Sequence, residues 1–326
     1  MKKKLFLLSA LPLLMGSLTG CGSSDGVKIG ILTIDFPAVS IAAEGFLAEL
    51  KEAGINAEGI KRIPSNASTR ASYALDLVSQ CDYLLGVGTD NSVALKGAIE
   101  EKGKAAEKTL FFTAVTDPAD CGLVASWDNP TGFVCGSSDM NPVEDQIALI
   151  KECIPDVDKV GIFYTNDESN SRIQSDRAVA KLQALGIEYA VKTCTGATDI
   201  ASSLTSFISE NPTMDAIFIP TDNNIANHPG EVSSAVKNKG KLVVCGEANM
   251  LKSCGAVTLS VDYESLGRKC GKMAVQIIKG QKKANNFPVE SSAASDCEYV
   301  MSLRNAAEAG VTIPQSVQDK CTNLDG

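Results

Sequence analysis

Lys28-Ile-Gly-Ile-Leu32, with Leu50-Lys-Glu-Ala-Gly-Ile55 behind it, decides the fold, because both blocks return later in the chain. The first reappears as Lys159-Val-Gly-Ile-Phe163 and the second as Leu182-Gln-Ala-Leu-Gly-Ile187. Asp82-Tyr-Leu-Leu85, leading to Thr89-Asp90-Asn91, reappears as Asp215-Ala-Ile-Phe218, leading to Thr221-Asp222-Asn223. Leu110-Phe-Phe112 reappears as Leu242-Val-Val244. The paired starts (28 and 159, 50 and 182, 82 and 215, 110 and 242) keep a nearly constant offset and a common order. Two copies of one unit explain that; chance similarity of apolar runs does not.

Each copy alternates short apolar runs with longer helical-period stretches, the pattern of a parallel sheet with crossover helices. The first copy predicts strands near 27–34, 55–60, 82–88, 109–115 and 132–136, with helices near 38–53, 67–80 and 91–102. The second predicts strands near 158–164, 187–193, 214–219 and 242–246, with helices near 169–185, 198–209 and 226–239. Gly54 and Gly186 fall just past their helices, where a left-handed residue is wanted. A helix near 262–280, a strand near 296–303 and a short helix from Arg304 return the chain across both units. The expected fold is α/β: two doubly wound Rossmann-like lobes joined by a hinge.

Composition narrows the function. The chain has 326 residues, 30 Lys plus Arg, 39 Asp plus Glu and a single His, for a formal charge of −9. A pI near 4.8 argues against non-specific nucleic-acid binding, which needs a basic face. One histidine excludes multi-His metal centres. His228 precedes Pro229 and reads as a solvated loop residue rather than a base. After Cys21 ten cysteines remain, none in a C-x-x-C pair, so no metal is expected and most should be buried free thiols. Cys121 with Cys135 is the disulfide worth testing. Gly86-Val-Gly88 is half of a dinucleotide fingerprint at the wrong strand, with no phosphate-binding lysine behind it. No cofactor is expected.

Residues 1–20 are an address. Lys2, Lys3 and Lys4 precede an apolar run from Leu5 to Met15 that is too short for a stable membrane anchor. Leu18-Thr19-Gly20-Cys21 resembles a bacterial lipobox, which places lipid on Cys21 and leaves 21–26 as a tether. Attachment to the extracytoplasmic face of the membrane would then be through the lipid anchor only.

Ligands of doubly wound sheets bind beyond the carboxyl ends of the strands. The facing loops are therefore Ile34–Ala38, Gly88–Ser92 and Thr113–Pro118 in one lobe, with Tyr164–Ser171, Pro220–Asn224 and Gly246–Asn249 in the other. Thr, Asn and Ser at helix starts seat a carboxylate, or else simply cap their helices. Asp222 and Glu247 would meet a cationic group. With Phe36, Tyr164 and Phe112 nearby, the cleft suits an aromatic body with a zwitterionic head. No loop sets a nucleophile beside a base, so an enzyme is not expected.

These residues carry a resemblance. Lys28-Ile-Gly-Ile, Glu44-Gly-Phe46, Phe112-Thr-Ala-Val-Thr-Asp-Pro118, Pro220-Thr-Asp-Asn223, Val261-Asp-Tyr263 with Leu266-Gly-Arg268, and Gly310-Val-Thr-Ile-Pro-Gln-Ser316 are similar to blocks of ABC-importer substrate-binding lipoproteins of the tryptophan/tyrosine type. The resemblance implies a type I periplasmic-binding-protein fold with three crossovers: one lobe from 27–138 plus about 262–292, the other from 139–261 plus about 293–326. It implies a monomer that captures an aromatic amino acid and delivers it to an ABC permease and, through that, its ATPase. We read the mechanism as a hinge: the ligand binds one lobe through Thr89, Thr116 and the Phe36 side, and closure brings Asn170, Ser171, Asp222 and Glu247 onto it, with Asp90, Tyr164, Thr221 and Asn223 as further ligand-binding candidates. The chain departs from the family at Asp35-Phe36 and Glu247-Ala248. Another small solute, such as a branched-chain amino acid, a nucleoside or a sugar, or a role as surface sensor or adhesin, remains open on the sequence.

Overall fold

A computed structural model describes residues 26–130 and 132–325. The leader, Cys21 and the tether as far as residue 25 lie outside the described residues. In chain order the first unit runs β1 (Val27–Leu32), α1 (Pro37–Glu52), β2 (Ala57–Arg62), α2 (Ala67–Gln80), β3 (Tyr83–Val87), α3 (Thr89–Glu101), β4 (Thr109–Thr113) and β5 (Val134–Ser138). The second runs α4 (Val143–Cys153), β6 (Lys159–Thr165), α5 (Ser169–Leu185), β7 (Glu188–Cys194), α6 (Ile200–Glu210), β8 (Ala216–Ile219), α7 (Asn223–Asn227), α8 (Pro229–Val236), β9 (Leu242–Cys245) and β10 (Val257–Ser260). The closing segments are α9 (Tyr263–Ile278), β11 (Glu290–Ser291), β12 (Glu298–Met301), α10 (Leu303–Ala309), α11 (Gln315–Gln318) and β13 (Thr322–Asn323).

These strands form two sheets, ordered β11-β5-β4-β3-β1-β2 and β13-β12-β10-β9-β8-β6-β7. All ladders are parallel except β10 with β12. Because successive residues of a strand face opposite ways, one strand feeds two cores. Leu85 and Phe111 pack on the α1 side, while Leu84, Leu110 and Phe112 pack on the other face. Burial on both faces is why these strands read as continuous apolar runs.

The chain passes between the sheets three times, at 139–142, 261–262 and 292–297. After the second passage α9 lies against α1, and the two backbones nearly touch: a Cβ on Gly267 would overlap the Ala42 carbonyl. Gly54 and Gly186 take φ of 76° and 68°, the left-handed geometry expected just past their helices.

Three elements differ from the sequence expectation. The helix read over 226–239 is two helices broken at His228, because Pro229 has no N–H to continue α7 and instead opens α8 at its first position. Helix α4 sits between the repeat copies, where the repeat logic had nothing to copy. Strand β10 is a four-residue run with no flanking alternation to mark it. All ten described cysteines carry free thiols, seven of them buried, and the resolved shifts all raise the thiol pKa, through burial first except at Cys245, where the hydrogen bond with Cys254 leads.

Candidate functional site: the cleft between the lobes

The carboxyl ends of the two sheets face a shared cavity of about 480 Å³, within the range of small-molecule sites. Nearly every wall is a strand-end loop. From the first lobe come Ile34, Asp35 and Phe36 after β1, Pro64 and Ser65 after β2, Gly88–Asn91 after β3, Ala114 and Thr116 after β4, and Asp139 after β5, with Arg70 from α2. From the other side come Asp167–Asn170 after β6, with Thr221, Asn223, Asn224 and Asn227 after β8, and Tyr263 opens α9. Arg172 reaches across to Asp120 of the first lobe at 3.7 Å.

The apolar part of the wall is Phe36, Ile34, Val39, Pro64, Ala114 and the ring of Tyr263. Ala114 is held at φ 56°, a conformation non-glycine residues rarely take, so the wall stores backbone strain where the ligand would lie. The polar part is acidic: five carboxylates, Asp35, Asp90, Asp139, Asp167 and Glu168, face one guanidinium, Arg70. Arg70 already binds Asp90 at 2.9 Å and the Asn91 side-chain oxygen at 3.2 Å. Asp139 is buried and accepts from the Thr116 hydroxyl at 3.1 Å and the Tyr263 hydroxyl at 3.2 Å. Burial without a cation pushes its pKa up to about 6, against the pull of those two hydroxyls. Glu168 accepts from the Asn223 amide at 3.0 Å, and burial together with the negative charge of Asp222 pushes it to about 7. Helices α1, α3 and α5 end at this cavity with no side chain capping their first N–H groups, which leaves positive helix ends for an anion.

Of the residues expected from sequence, Phe36, Thr89, Asp90, Thr116, Asn170, Thr221 and Asn223 line this cavity. Four do not. Asp222 is fully buried and satisfied by protein: it accepts from the Thr165 N–H at 2.7 Å, the Thr165 hydroxyl, the Ser171 hydroxyl at 3.0 Å and the Ile225 N–H at 3.0 Å. It caps α7 and binds β6; it has no lone pair to offer a ligand. Ser171 is buried with it, between Asp222 and the Thr221 carbonyl. Glu247 is buried as the cap of a short helical turn, accepting from the Asn249 and Met250 N–H groups at 2.9 and 3.1 Å. Tyr164 packs against the second lobe's core. The sheltered carboxylates that do line the cavity are Asp139 and Glu168.

The loops expected in the first lobe follow β1, β3 and β4, whereas Asp139 and Arg70 lie beyond the carboxyl ends of β5 and β2. Glu168 lay within an expected loop. Tyr263 lay within a family block but had no role assigned. Trp127 donates to Asp117 at 3.1 Å and stays half-buried outside the cavity lining.

The family profile described as ABC transporter substrate binding protein matches residues 28–324. The chain belongs to this family. Among relatives of this substrate-binding protein, a tyrosine-binding protein of Clostridioides difficile (strain R20291) is 29% identical over 311 residues, covering 88% of this chain and 87% of that one. A Streptococcus pneumoniae ABC domain solved in complex with L-Trp is 28% identical with a TM-score of 0.81, covering 92% of this chain and 99% of that one. The ligand-free, open structure of a Clostridium difficile substrate-binding protein with adhesive properties shares the fold, with a TM-score of 0.72 at 24% identity over 91% of this chain and 99% of that one. The architecture is that of a type I periplasmic binding protein, and the family binds solutes rather than transforming them.

Proposed function

We propose that this chain is the extracytoplasmic solute-binding lipoprotein of an ABC importer, held at the membrane through Cys21. It captures an aromatic amino acid, Tyr, Trp or Phe, by hinge closure and delivers it to the permease and its ATPase as a monomer. The observation that carries this reading is the division of labour in the cleft. Phe36 and Tyr263 flank an apolar pocket, two sheltered carboxylates lack a cation, and Arg70 with three helix ends offers positive potential. An α-amino acid with an aromatic side chain supplies the matching parts: an ammonium for Asp139 and Glu168, a carboxylate for the helix ends, and a ring for Phe36. The tyrosine-binding and L-Trp-bound relatives support the same choice.

A thermal-shift screen of the mature protein against the twenty amino acids, nucleosides and sugars tests it. A ligand at 100 times its dissociation constant adds about 2.7 kcal/mol, a shift of several degrees. Stabilisation by Tyr, Trp or Phe is expected. Stabilisation by a sugar or nucleoside alone would replace the ligand, and silence across the screen would favour a sensor or adhesin.

A further inference from the structure

The cleft holds one carboxylate that is fully enclosed, and it sits in the connection between the lobes. Asp139 is the first residue after β5, at the head of the 139–142 passage; Tyr263 is the first residue of α9, directly after the 261–262 passage. The Tyr263 hydroxyl donates to one Asp139 oxygen and the Thr116 hydroxyl to the other, so one carboxylate ties two passages and a first-lobe loop together. Two residues further on, the Asn141 amide donates to Thr221 of the second lobe's wall at 2.7 Å.

Only neutral donors serve this carboxylate: the two hydroxyls and its own backbone N–H. It is 4% exposed, whereas Asp35, Asp90 and Asp167 are exposed and Glu168 is half-buried. The other charged or titratable groups are Tyr263 on α9, with Glu247 near enough to act on it, and, around the cavity, Asp35 after β1, Asp90 on α3, Asp167 and Glu168 ahead of α5, and Arg70 on α2. Arg70 is engaged by Asp90 and Asn91. An enclosed carboxylate without a counter-charge is unfavourable by itself and becomes favourable when a cation arrives. Asp139 lines the cavity, so the cation can come from the ligand.

We propose that Asp139 receives the ligand's ammonium group, and that it does so from inside the hinge, so that filling the cavity fixes the two lobe connections relative to one another. The proposal rests on the amino-acid reading above and deepens it. It makes Asp139 the specificity-determining residue for a primary amine, with Tyr263 and Thr116 positioning it. Its pKa of about 6 in the empty site fits a carboxylate waiting for a cation.

The test compares wild type with Asp139→Asn by calorimetry and melting at pH 7.5. The probes are L-tyrosine, L-tryptophan and their des-amino analogues, 3-(4-hydroxyphenyl)propionate and 3-indolepropionate. Wild type is expected to prefer the amino acids strongly. In Asp139→Asn their affinity falls by about 100-fold or more and the preference over the des-amino analogues collapses. The empty variant also melts higher than empty wild type, because an unpaired buried charge has gone. A purely structural Asp139 predicts the reverse, a lower melting temperature with discrimination intact. Retained discrimination, or a variant that does not fold, overturns the proposal while leaving the amino-acid reading in place. Wild type that binds neither amino acid overturns both.

Discussion

Thr89-Asp90-Asn91 and Thr221-Asp222-Asn223 are the same three residues at the same place in the two repeats, yet they do opposite things. In the first lobe Gly88, at φ 89°, turns the chain straight into α3, so that Thr89 is already helical and Asp90 stands on the first turn. Its side chain is 72% exposed at the cavity, paired with Arg70. In the second lobe Pro220 occupies the matching position, and α7 starts only at Asn223. Asp222 becomes the N-cap and turns inward to Thr165, Ser171 and Ile225. A helix start displaced by two residues thus converts a cavity-facing acid into a structural one. Only glycine reaches that φ readily, so the difference is written in one residue of each repeat.

The comparison breaks most visibly at Asp222. Asp222→Ala strands two backbone N–H groups and two hydroxyls, and a stability loss of about 2–4 kcal/mol is expected by denaturant unfolding. Its effect on binding should follow from unfolding, not from a lost ligand contact. Gly88→Ala attacks the device that sets the first lobe apart: a Cβ at φ 89° costs about 1–2 kcal/mol, and calorimetry should show weaker binding because Gly88 lines the cavity. The third test is pH. Asp139 near 6 and Glu168 near 7 must be ionised to hold an ammonium. Affinity should therefore fall as pH drops below 7, approaching tenfold per pH unit for each carboxylate once the pH lies below its pKa. The empty protein behaves oppositely: raised carboxylates penalise the fold increasingly from about pH 4, their unfolded range, and fully above about pH 7. Scanning calorimetry should find it melting higher at pH 5 than at pH 8, and a ligand that reverses this order would sharpen the case. The smallest effect is at Asp90, where Asp90→Ala should change stability by no more than about 0.5 kcal/mol, since its ion pair is exposed.

Much of this was legible in the sequence. The repeat identified both sheets, because strands buried on two faces must be apolar and the copies kept their spacing. The cleft followed from strand ends alone, and Phe36, Thr89, Thr116 and Asn170 were found that way. What stayed hidden depended on details finer than spacing. Asp90 and Asp222 cannot be told apart by their own motif; the difference lies in whether the chain enters the helix through Gly88 or Pro220. Glu247 looked like a ligand acid, but a carboxylate two and three residues ahead of free N–H groups caps them first. Asp139 lay in a connection that belongs to neither repeat copy, where the offset gives no guidance.

A crystal structure of the mature protein with bound L-tyrosine tests the central claim most directly. The account predicts the ammonium nitrogen within about 3 Å of Asp139, the ring against Phe36, and Asp222 still bonded to Thr165 and Ile225. An ammonium seated on Asp222, with Asp139 left on its two hydroxyls alone, would contradict it.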